Sequence, residues 1–72
     1  MNAAPPQAKD QAGLILAYLN RGHSITAMEA LDLFGCFRLA ARIGELKEAG
    51  HKIASEPFVT DSGKRVSRYW IP

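Results

Sequence analysis

Three apolar stripes of helical period, each followed within a few residues by a glycine, fill positions 10–50 of this 72-residue chain and leave little choice of fold class. The first is Ala12, Ile15, Leu16 and Leu19, at the i, i+3, i+4, i+7 spacing of one helical face. Leu14 and Tyr18, four apart, widen it. Asp10 is the expected N-cap, and Gly22, after Asn20 and Arg21, the expected stop. Thr26 opens the second segment. With Glu29 three residues on, it has the capping-box pattern, in which two side chains satisfy amides that the first helical turn leaves bare. This helix is expected over 27–33, with Met28, Ala30, Leu31 and Leu33 as its apolar residues, and Phe34-Gly35-Cys36 breaks it. The third is expected over 37–49, with Leu39, Ile43 and Leu46 as its buried stripe and Gly50 as its stop. Arg38, Arg42 and Glu45, one position earlier at the same spacings, form a polar stripe expected on a more exposed face.

After Gly50 the period changes. His51 to Thr60 contains the strand formers Ile53, Phe58 and Val59, and Asp61-Ser62-Gly63-Lys64 is a turn sequence. Arg65 to Ile71 then alternates, with Val66, Arg68 and Trp70 on one side and Arg65, Ser67, Tyr69 and Ile71 on the other. Two extended runs around a glycine turn predict a β-hairpin. Pro57 lacks the amide a ladder needs, so its strand is expected to be interrupted or at an edge. His23-Ser24-Ile25 reads either as a connection or as a one- or two-residue strand pairing with the hairpin. Alternation separates Tyr69 from Trp70, and at least one of them is expected in the core, because a small domain needs large apolar side chains.

A chain this short has room for one core. Residues 9–72 are expected to form the domain, and residues 1–8, with Pro5 and Pro6 among small and polar neighbours, a flexible tail. The hydrophobic share of 47% argues against a disordered chain. The longest apolar run, Leu14 to Leu19, is far short of the ~20 residues that cross a bilayer, and no secretory signal is read at the N-terminus. The lone Cys36 permits no internal disulfide, which suits a reducing cytoplasm, and it is expected as a buried turn residue.

Helix, helix, glycine turn, helix and basic hairpin is the order of a winged helix-turn-helix, an α+β fold of three helices with a C-terminal two-stranded wing. In that arrangement the third helix lies in the major groove of DNA. Arg38 and Arg42 then become candidates for base edges, since arginine offers guanine two hydrogen bonds. Lys64, Arg65 and Arg68 on the wing become candidates for phosphates. Cys36 and Phe37, at the helix start, could touch phosphate or a thymine methyl. The bland alternatives stay open: a solvated helix face with Arg42 and Glu45 paired locally, and a charged strand edge that deters aggregation. Charge distribution points the same way as the motif. Residues 38–72 hold seven of the nine cations against four acids, a net of +3, and residues 1–37 a net of −1. Catalytic readings fare badly. Cys36, His23 and His51 have no metal-site spacing, Glu29 and Asp32 read as helix-surface groups, and no glycine run fits a phosphate loop, so no enzyme activity, cofactor or metal is expected.

Ser24-Ile25-Thr26-Ala27, Leu33-Phe34-Gly35-Cys36, Arg38-Leu39-Ala40-Ala41-Arg42-Ile43 and Leu46-Lys47-Glu48-Ala49-Gly50-His51 together resemble a family of small winged helix-turn-helix domains common in bacteriophages and prophages. The Gly63 to Tyr69 run resembles that family's hairpin. The resemblance covers roughly residues 10–71 and implies a winged-helix fold and a DNA-binding role. The expectation is a phage or prophage transcription regulator on double-stranded DNA, with a homodimer as one option. Two rivals are a winged helix that engages a host protein complex and an accessory factor that bends DNA.

Overall fold

The computed structural model describes residues 8–72, with side chains from residue 11 onward. The expected tail at 1–8 lies outside the described residues except for Ala8, which is already helical. Helix α1 spans Ala8–Asn20, so Asp10 sits inside the helix instead of capping it. Ala8 is a strong helix former, which favours the earlier start. The strand β1, Ile25–Thr26, follows, then helices α2, Ala27–Phe34, and α3, Leu39–Glu48, and strands β2, Ala54–Val59, and β3, Arg65–Trp70. The sheet has three antiparallel strands, in the order β1-β3-β2: the expected two-stranded wing, β2 with β3, and the short strand β1 beside it. The short strand by His23-Ser24-Ile25 exists, shifted one residue on, with Ile25 opposite Tyr69 and Thr26 opposite Arg68.

Thr26 ends β1 and caps α2 at once. The Glu29 amide donates to Thr26 Oγ1 at 3.4 Å, and the Thr26 amide donates to Glu29 Oε1 at 2.9 Å, which completes the capping box. Gly35 ends the helix at φ 63°, a left-handed conformation that only glycine adopts cheaply. Its amide and that of Cys36 return to the carbonyls of Leu31 and Ala30, at 2.9 and 3.2 Å. Helix α3 starts at Leu39, two residues later than expected, because Arg38 before it keeps a non-helical backbone as the N-cap residue. It ends in a Schellman motif, with the amides of Gly50 and His51 bonded to the carbonyls of Lys47 and Leu46.

The core joins Ala12, Ile15 and Leu19 of α1 to Leu39, Ile43 and Leu46 of α3, and Ile25, Ala30, Cys36 and Ile53 close it. Leu16, Tyr18, Phe34, Tyr69 and Ile71 pack around it. Tyr18 stacks on His23 at 4.4 Å and meets Phe34 edge-on at 5.6 Å, which ties the end of α1 to the end of α2. Two apolar expectations fail on α2. Met28 is 63% and Leu33 53% exposed, and only Ala30 of that helix is buried. The inner side of this short helix runs through Ala30 and Phe34, four apart, and Met28 and Leu33 fall to either side of it. Tyr69 faces the core, and Trp70 is half-buried on the opposite side of β3.

The hairpin is built as its turn chemistry requires. Thr60 and Lys64 close a three-residue loop: the Thr60 amide bonds the Lys64 carbonyl and the Gly63 amide bonds the Thr60 carbonyl, both at 2.9 Å. Gly63, at φ 87°, supplies the positive backbone angle that such a loop needs at its last residue. Strand β2 is an edge strand, and Pro57, opposite Ser67, sits in it without interrupting it.

Candidate nucleic-acid interface

Two regions carry the candidate side chains. Helix α3 is held against the body of the domain by Leu39, Ile43 and Leu46, which leaves Arg38, Ala40, Glu45, Lys47 and Glu48 exposed. Arg38 occupies the N-cap position in a non-helical conformation, φ −129° and ψ 61°, and makes no capping bond to the helix. Among the described residues its guanidinium has no ion-pair or hydrogen-bond partner. Phe37, beside it, is 84% exposed. At the hairpin, Lys64 and Arg65 flank the turn and are exposed.

The other two candidate arginines are engaged. Arg42 was expected on the exposed polar stripe, yet it is buried, at 9% exposure. Its Nη2 lies 3.0 Å from Oε2 of Glu45, and its Nε has no hydrogen-bond partner among the described residues. Position 42 lies three residues after Leu39 and four before Leu46, so the same periodicity that buries those leucines draws Arg42 in. Arg68 lies mid-strand, half-buried, ion-paired with Glu56 directly opposite on β2. Its guanidinium also sits 4.5 Å from the centre of the Phe58 ring, a cation–π contact.

The structure thus brings Lys64 and Arg65 together at the hairpin tip, puts Arg38 at the start of α3, and ties Arg42 and Arg68 to carboxylates. Beside the expected site residues, two more exposed cations lie on or next to these elements, Lys47 in the last turn of α3 and Lys52 just before β2. Their signal was the positive balance of residues 38–72. Among the described residues, no group of three or more His, Cys, Asp or Glu side chains could hold a metal, and no helix is long and apolar enough to cross a membrane. Cys36 is buried in the turn between α2 and α3.

A helix α1, a short strand, two helices joined by a glycine turn and a β-hairpin paired back onto the short strand define a winged helix-turn-helix protein. The chain belongs to that family: a family model described as a winged helix-turn-helix domain matches residues 10–71. No curated protein and no solved structure matches the chain. Winged helix-turn-helix domains are characteristically DNA-binding modules, and the match points to no catalytic family.

Proposed function

We propose that the protein is a transcription regulator of a bacteriophage or prophage, acting on double-stranded DNA in the bacterial host cytoplasm. Helix α3 enters the major groove and the β2–β3 hairpin lies on the flanking backbone. The observation that carries this reading is the pair of exposed, unengaged cation groups, Arg38 at the start of α3 and Lys64 with Arg65 at the hairpin tip. Arg38 reads a guanine edge, and Lys64 and Arg65 neutralise phosphates. Arg68 joins the phosphate contacts only if Glu56 releases it, and Arg42 acts from inside the helix through its neighbour. The phage setting is supported by the resemblance of residues 10–71 to domains common in phages and prophages. Fluorescence anisotropy of the protein on duplex fragments, at several salt concentrations, tests the reading. Binding that weakens as salt rises supports it, and absence of binding at low salt overturns it.

A second reading has its own observation. Leu14, Ala17, Tyr18, Arg21 and Phe34 line an open hollow of about 140 Å³ between α1 and α2, and Leu14 in its wall is exposed. Such a hollow suits a protein partner from the host. A stoichiometric partner in a host-lysate pull-down, with no DNA binding, would favour it over the regulator.

A further inference from the structure

On the face that α3 would offer to DNA, two exposed acids, Glu45 and Glu48, run against attraction to a polyanion, and Glu45 is the one paired within the fold. Glu45, 48% exposed at the side chain, stands on the stripe that Arg38 opens, seven residues or two helical turns further on. An acid there repels phosphate, so its presence calls for a compensating contact. The fold also fixes it in place. Arg42, buried beside Leu39, Ile43 and Leu46, puts its Nη2 3.0 Å from Glu45 Oε2 and leaves its own Nε without a partner. Burying an arginine in this way is a poor route to stability, because an apolar side chain of similar size commonly does as well or better. What the arrangement does supply is a half-exposed carboxylate with one oxygen, Oε2, paired to a guanidinium, and a carboxylate has a second oxygen to accept with.

We propose that Glu45 is a specificity-determining residue that accepts a hydrogen bond from the exocyclic amine of a cytosine in the major groove, and that Arg42 is the positioning residue that aims it. The inference rests on the DNA-binding reading above. The major groove offers only two donors, the amines of cytosine and adenine, and adenine sets an acceptor beside its amine that repels a carboxylate. Cytosine is the base that fits. The helical stretch from Leu39 to Glu45 rises about 9 Å, on the order of three base-pair steps, so the cytosine lies a few steps from the guanine read by Arg38.

The test is selection by the full-length protein from a duplex DNA library with a randomised core, followed by anisotropy on the selected duplex and its single-base variants. The wild-type protein is expected to require, besides the G·C pair read by Arg38, a second pair whose cytosine faces Glu45, with about tenfold weaker binding when that second pair is replaced. Glu45→Gln keeps an oxygen for Arg42 but turns an amine, a donor, towards the groove. It is expected to lose the cytosine requirement and to accept a base with an acceptor at that position. Arg42→Met is expected to flatten the preference at that one position without lowering Tm, whereas a merely structural arginine would lower Tm and leave the preference intact. Arg42→Lys, which keeps a cation, is expected to restore part of the preference. A selected motif with no second G·C pair beyond the one read by Arg38, or a preference at that second pair unchanged in Glu45→Gln, overturns the role of Glu45 and leaves DNA binding standing. Failure to select any duplex overturns both.

Discussion

Helix α3 with its N-cap residue and the β2–β3 hairpin each carry exposed cations and one arginine tied to a carboxylate, yet they are built to different standards of rigidity. Four residues of α3 are buried, Leu39, Arg42, Ile43 and Leu46, and its ion pair spans one turn of a single helix. No residue of β2 or β3 is fully buried, and the hairpin's ion pair bridges two strands at the surface. A side chain on α3 is thus held by the core, and one on the hairpin by its neighbour across the ladder. The difference suits the division of labour proposed above. Base reading needs groups placed to a fraction of an ångström, which the helix offers, and phosphate contact tolerates the looser hairpin.

The sharpest way to break that comparison is to loosen the helix. Ile43→Ala empties a fully buried site between α3 and α1 and is expected to cost about 2–5 kcal/mol in denaturant unfolding, much of what a domain this size has. Val66→Ala, at a half-buried hairpin position, is expected to cost well under half as much. Equal losses would mean that the hairpin is as firmly anchored as the helix. Next in size, Arg38→Ala is expected to weaken duplex binding by about 1–3 kcal/mol and to relax base preference at one position. The paired substitution Lys64→Ala with Arg65→Ala is expected to act differently. It should lower affinity uniformly across sequences and reduce the slope of log K against log salt by about 2, one for each phosphate that is no longer neutralised. A change in base preference from the hairpin variant would contradict the division of labour. The smallest effect expected is from Gly44→Ala. A methyl group there meets no atom within 4 Å, so the helix is expected to gain about 0.5–1 kcal/mol in a thermal melt.

Much of this arrangement was legible in the chain. The α1 and α3 stripes at Ile15, Leu19, Leu39, Ile43 and Leu46 all proved buried, because both helices pack one continuous face against the core. The capping box at Thr26 and Glu29 and the turn at Gly63 formed as their local chemistry dictates. Arg42 was misread because its charge was allowed to outweigh its position, three residues from Leu39 and four from Leu46. The Glu56–Arg68 pair needed the hairpin register. A turn of three residues closed by Thr60 and Lys64 sets Glu56 opposite Arg68, and the four-residue turn signal alone does not. The two-residue β1 is too short to have a period of its own, and its pairing comes from Tyr69 and Arg68 across the sheet.

The central claim is that DNA meets α3 and the hairpin and nothing else. Titration of isotope-labelled protein with a selected duplex, followed by amide and arginine side-chain NMR, tests it most directly. The expected result is shifts concentrated at Arg38, Glu45, Lys64 and Arg65, with Leu14, Tyr18 and Phe34 unmoved. Shifts centred on Leu14, Tyr18 and Phe34, with the α3 and hairpin signals unmoved, would contradict it.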